Sequence, residues 1–212
     1  MFNFEEYKKI KNKIDFSGKK TEIVAVSKNH PLENVEEAIS YGLKIFGENR
    51  VQEAKLKFEP IKEKNREIKL HLTGPLQTNK VNQALRLFDV FHTLDREKLL
   101  KELSKYPEII KTKSFFIQLN TGKEITKSGI FPEDLKSFLS LCVEYGMHNI
   151  KGLMCIPPIN EPPEKHFQII NELTIENELG APSIGMSSDY EQALEFNPKY
   201  IRVGTILFGK RK

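Results

Sequence analysis

Lys28 ends an apolar run, IVAVSK at 23–28, and two small-residue turns, GMSS at 185–188 and RVGT at 202–205, lie near the other end of the chain. A primary amine and a set of backbone N–H and hydroxyl donors suit two parts of one molecule. The amine condenses with an aldehyde, and the donors hold a phosphate. Pyridoxal 5'-phosphate carries both groups and is the leading ligand on these residues. Burial would strip water from the Lys28 ammonium, lower its pKa and populate the neutral form that attacks a carbonyl. Gly185 and Gly204 permit close backbone approach, while Ser187, Ser188 and Thr205 supply hydroxyl donors. Either turn alone reads better as ordinary turn and cap residues; both together point to an anion.

These groups lie far apart in sequence, so the fold must bring them together. Short apolar runs at 22–27, 44–47, 69–73, 89–92, 114–120, 149–154, 183–186 and 200–203 read as strands. They alternate with amphipathic stretches at 32–41, 49–58, 79–87, 95–105, 132–145, 164–179 and 188–196, after a leading helix near 3–14. Asn79, Asp95 and Ser188 are expected as N-caps, with Pro132 at a first helical position. This order predicts an α/β fold, a single (β/α)8 TIM barrel spanning 1–212. The competing doubly wound sheet lacks a G-x-G-x-x-G turn. In a barrel the strand ends form the working face, and closure sets strand eight beside strand one. Arg202 and Lys28 then share one mouth. Polar residues follow the other strands too, including Asn49 after the second and His92-Thr93 after the fourth.

The 212 residues suit one domain, with 39% hydrophobic and 29% charged residues and a mean hydropathy of −0.45, values that exclude an integral membrane protein. No secretory signal or membrane segment is evident, and two cysteines, Cys142 and Cys155, fit a reducing, cytoplasmic compartment better than a disulfide scaffold. A net charge of +4 comes from lysines mixed with glutamates on helical faces, and the GKRK tail is short, so no nucleic-acid partner is expected. The five histidines and two cysteines show no ligand spacing, so no metal is expected, and no nucleophile elbow is present.

AVSK at 25–28, FGENRVQEA at 46–54, HLTGPLQTNK at 71–80, HTLDR at 92–96, TKSGI at 126–130, GLMCIPP at 152–158, SIGMSSDYEQAL at 183–194 and IRVGTILFG at 201–209 occur in this order. On these segments nearly the whole chain resembles the pyridoxal phosphate homeostasis protein family. The resemblance implies a fold-type III barrel like the alanine racemase N-terminal domain, with pyridoxal 5'-phosphate held as a Schiff base on Lys28. It also implies that Met186, Ser187, Gly204 and Thr205 hold the phosphate, that Asn49 lies near the ring and that Arg202 faces the pyridine nitrogen. Arginine does not protonate that nitrogen, which weakens the ring as an electron sink. In alanine racemase a tyrosine from another chain's C-terminal domain supplies the opposing acid/base, and this chain ends about where its barrel ends. Tyr7, Tyr41, Tyr106, Tyr145, Tyr190 and Tyr200 all fall in helices or at strand starts. The expected function is a cofactor carrier or buffer without robust turnover, not an enzyme. Apo enzymes that use the cofactor are its expected recipients, and amino acids are expected to form external imines. A small amino-acid racemase is the alternative, with an aldolase-like barrel third. Charged outer helix faces predict a monomer.

Overall fold

Residues 1–210 are described by a computed structural model. Arg211 and Lys212, the end of the basic tail, lie outside the described residues. The eight apolar runs form β1 Glu22–Val26, β2 Ile45–Glu48, β3 Lys69–Leu72, β4 Val90–Leu94, β5 Ser114–Leu119, β6 Ile150–Cys155, β7 Ser183–Met186 and β8 Tyr200–Val203. Each pairs in parallel with the next, and β8 returns to β1 through Val24↔Arg202 and Ala25↔Val203, closing the barrel. The expected (β/α)8 architecture is therefore present, and the closure brings the ends of the sequence together.

The helices are α1 Phe4–Phe16, α2 Leu32–Ser40, α3 Val51–Lys64, α4 Val81–Leu87, α5 Glu97–Leu103, α6 Pro107–Ile110, α7 Leu135–Glu144, α8 Pro163–Glu176, α9 Tyr190–Leu194 and α10 Thr205–Phe208. Outward strand residues such as Phe46, Leu70, Phe115 and Ile201 pack with helix residues such as Phe58, Leu85 and Phe167 in one large core. The alternate, inward positions fill the barrel differently. Val90, Phe116 and Met154 form a separate cluster with Tyr200, beside the buried imidazoles of His71 and His92.

The three expected N-caps are corrected. Asn79 lies inside a 3-10 turn, Thr78–Lys80, that precedes α4. The cap position of α5 is Arg96, in extended conformation, because the Asp95 carboxylate is engaged with the Arg96 guanidinium instead. Ser188 is exposed one residue too early, and Asp189 occupies the cap position of α9. Pro132 does open a 3-10 turn that runs into α7. His92 and Thr93 lie within β4, which continues to Leu94, so the His92 ring is inside the barrel and not on the rim.

Candidate functional site

The β1 ladder extends one residue past the strand, where the Ser27 N–H donates to the Gly47 carbonyl at 3.0 Å. Lys28 follows, half-buried at the barrel mouth. Its partial exposure differs from the deep burial expected from the apolar run. Asn49, after β2, accepts a hydrogen bond from Thr73 Oγ1 through its Oδ1 at 2.9 Å. Gly74, which follows Thr73, has no room for a side chain: a Cβ there would sit 2.5 Å from the Asn49 carbonyl oxygen. The TGP turn after β3 thus sets where Asn49 stands.

The two donor turns form one structure. Gly185 has φ +91°, and a Cβ there would lie 2.6 Å from the Ala193 Cβ, so only glycine lets β7 turn tightly under α9. The Met186 N–H donates to Asp189 Oδ1 at 2.5 Å, and the Asp189 N–H returns to the Met186 carbonyl at 3.1 Å. Burial raises the Asp189 pKa, while the Met186 amide and Arg202 oppose the shift. From the β8 side, the Gly204 N–H donates to Ser187 Oγ at 3.2 Å, which ties the two loops together. Gly204 also sits at the cap of α10, whose first N–H groups have no partner within the helix by geometry. Thr205 is exposed at that helix start.

Below these turns Arg202 is nearly sealed from solvent at 5% exposure. Its Nη1 donates to the Ser183 carbonyl at 2.6 Å and to Ser183 Oγ at 2.7 Å, and its Nη2 to the Cys155 carbonyl at 2.8 Å. Burial lowers its pKa to about 10, so it stays cationic at neutral pH. Ser183 Oγ is 2.9 Å from His92 Nδ1, and His92 Nε2 is 3.0 Å from His71 Nδ1. Burial drives the His71 pKa down to about 3, and that of His92 falls for the same reason, with His71 and Arg202 adding to it. The guanidinium therefore rests on a chain of neutral groups.

All seven residues expected at the site, Lys28, Asn49, Met186, Ser187, Arg202, Gly204 and Thr205, line one cavity of about 570 Å³. That volume lies in the ordinary range for small-molecule sites. The sequence did not single out Val26, His30, Ile156 or Ile206, which complete its walls together with Thr73 and Ser188. It also passed over Asp189, although an aspartate directly before a helix in GMSSDY was the available signal. The donor set fits a phosphorylated aldehyde: an amine on one side, hydroxyls and helix-start amides on another, apolar walls for a ring, and a guanidinium beneath. Among the described residues no three His, Cys, Asp or Glu side chains are grouped to hold a metal ion.

Residues 5–212 match the alanine racemase N-terminal domain family. The pyridoxal phosphate homeostasis protein of Aquifex aeolicus is 38% identical over 202 residues, covering 90% of this chain and 87% of its own. The Escherichia coli protein of that name is 31% identical over 199 residues, covering 89% and 85%. Among solved structures, PipY of Synechococcus elongatus with PLP bound superposes with a TM-score of 0.77 at 33% identity, covering 90% of this chain and 93% of that one. Its form without PLP gives 0.80 with the same identity and coverage. Alanine racemase from Acinetobacter baumannii, at 17% identity and a TM-score of 0.69, shares the fold over 88% of this chain and 56% of that chain.

Proposed function

The chain belongs to the pyridoxal phosphate homeostasis protein family, within the wider alanine racemase N-terminal domain family, and we propose that it binds pyridoxal 5'-phosphate through Lys28 and acts as a carrier or buffer for that cofactor. One observation carries this reading: a single cavity gathers the Lys28 amine, the paired donor turns and the Arg202 guanidinium from opposite ends of the sequence. When bound, the cofactor supplies an aldehyde that condenses with a primary amine, and Lys28 is the amine that lines the cavity. Met186, Ser187, Gly204 and Thr205 hold the phosphate through hydroxyl and backbone donors. Asn49 would stand beside the ring, and Arg202 would face the pyridine nitrogen. A guanidinium cannot give up its proton readily to that nitrogen, so it binds and orients without strengthening the ring as an electron sink. The site thus favours sequestration over turnover, with apo enzymes as recipients and free amino acids as displacing amines. Free, buried thiols at Cys142 and Cys155 support a cytoplasmic setting, and ion pairs along exposed helix faces, such as Lys9–Glu6 and Lys111–Glu108, support a monomer.

The test is borohydride reduction of cofactor-loaded protein followed by peptide mass mapping. A reduced adduct on Lys28, lost together with the visible absorbance in Lys28→Ala, is the expected result, whereas Ser187→Ala should only weaken retention. An adduct confined to another lysine, such as Lys80 or Lys127, overturns the assignment. Carrier action is read by incubating loaded protein with an apo enzyme that uses the cofactor, against free cofactor at equal concentration.

A further inference from the structure

Besides Asn49, the FGENRVQEA segment places two carboxylates, Glu48 and Glu53, under the Lys28 loop. Glu48, at the end of β2, is fully buried. Lys57 in α3 is 7% exposed, an unusual environment for an ammonium. Its Nζ lies 2.6 Å from Glu48 Oε1 and 2.9 Å from Glu53 Oε1. The same Nζ donates to the Ser27 carbonyl at 2.8 Å and to the His30 carbonyl at 3.2 Å. One ammonium therefore meets both ends of the loop that carries Lys28. The two carboxylates extend the grip. Ser27 Oγ donates to Glu48 Oε1 at 2.8 Å, and the Asn29 N–H donates to Glu53 Oε1 at 2.6 Å.

Both sequence neighbours of Lys28 are thus held by this cluster, and Asn29 is held at φ 61°, in the left-handed region where an L-residue needs local support. A buried ion pair is weak evidence for stability, because apolar replacements often fold as well or better. Its position under a reactive amine is a better account of it. We infer that Lys57, together with Glu48 and Glu53, is a positioning device that fixes the Ser27–His30 turn so that Lys28 is presented to the cavity in one geometry. The inference rests on the proposed role of Lys28 and deepens it: these three residues touch the turn and control how fast Lys28 reacts.

In a Glu48→Gln/Lys57→Met protein both charges of the buried pair leave together, so neither is stranded. Glu53→Ala, at a half-buried position, is a milder second variant that removes the acceptor of the Asn29 amide. In ligand-free protein, hydrogen exchange at the Asn29 and His30 amides should accelerate. Attachment of pyridoxal 5'-phosphate to Lys28, followed by visible absorbance and borohydride trapping, should slow by about tenfold or more, as expected when a reacting group is misplaced by a fraction of an ångström. Affinity for 4-deoxypyridoxine 5'-phosphate, which lacks the aldehyde, should stay at the wild-type level. Wild-type attachment rates in folded variants, or a parallel loss of attachment and analogue affinity, would overturn the inference. If the wild-type protein attaches no cofactor, the proposed function fails, and the exchange measurement alone then decides the role of the cluster. Unchanged exchange at Asn29 and His30 overturns it.

Discussion

At Arg202 the hydrogen bonds reach buried residues well away from the cavity. The guanidinium only donates, so Ser183 Oγ accepts from it at 2.7 Å, and the hydroxyl keeps a proton and a second lone pair with which to donate to or accept from His92 Nδ1 at 2.9 Å. His92 Nε2 lies 3.0 Å from His71 Nδ1, so across this contact one neutral ring donates and the other accepts. Burial disfavours a second proton on either ring, holding the His71 pKa at about 3 and lowering that of His92. The consequence for stability has a definite sign. In the unfolded chain both rings bind a proton below about pH 6.5, but in the folded protein they do not, so stability is intact above that pH and is lost as the pH falls below it. For His71 alone the loss between pH 7 and pH 5 should be on the order of 2 kcal/mol, measured by urea unfolding. The ring proton resonances of His71 and His92 should not titrate over the same interval. A titration near the ordinary histidine value would contradict the buried neutral chain. None of this was legible in the sequence, where HTLDR read as a strand-end motif. β4 runs on to Leu94, which places His92 within the strand and its ring inside the barrel.

Among the elements, the loops are set by contacts that a motif alone conceals. Gly185 combines φ +91° with a Cβ position 2.6 Å from Ala193. Gly185→Ala should therefore cost about 1–3 kcal/mol from backbone conformation, with further loss from displacing α9. Cofactor retention should fall with it, because the Met186–Asp189 turn begins one residue later. Denaturant unfolding and retention on gel filtration check the two effects. Gly74→Ala is predicted to act differently. Its new Cβ would press on the Asn49 backbone from 2.5 Å, so retention should drop more than stability does. Strand positions were legible because closed-barrel strands are short apolar runs with polar punctuation, and β2, expected at 44–47, is found at Ile45–Glu48. Caps were less so, because a polar side chain before a helix has several possible partners. Asp189 turns back to Met186, and Asp95 pairs with Arg96. The single turns α6 and α10 are too short to leave a periodic signature, yet α10 presents the amides assigned to the phosphate.

For the molecule as a whole, barrel closure decides which chemistry the site supports. The Val24↔Arg202 pairing brings β8 against β1 beneath Lys28, and Gly204 comes so near β1 that a Cβ on it would stand 3.0 Å from the Val26 carbonyl oxygen. That closure could be anticipated from the βα order, because parallel strands in a ring leave no edge. It also fixes the list of acid/base candidates. The titratable side chains lining the cavity among the described residues are Lys28, His30 and Arg202. Tyr200 is packed against His71 inside the barrel, and the Tyr190 hydroxyl donates to Glu191 on an exposed face. Among the described residues no tyrosine lines the cavity. The carrier reading then predicts that L-alanine displaces Lys28 from the cofactor without losing its α-proton at a useful rate. In deuterated water the visible spectrum should shift on adding L-alanine, while α-deuterium incorporation and D-alanine formation stay near the rate of free cofactor. Incorporation about a thousandfold above that background would require about 4 kcal/mol of transition-state stabilisation, which the carrier reading does not supply. Should such a rate appear and vanish in both Lys28→Ala and His30→Asn, His30 would be the second acid/base and the racemase alternative would replace the carrier.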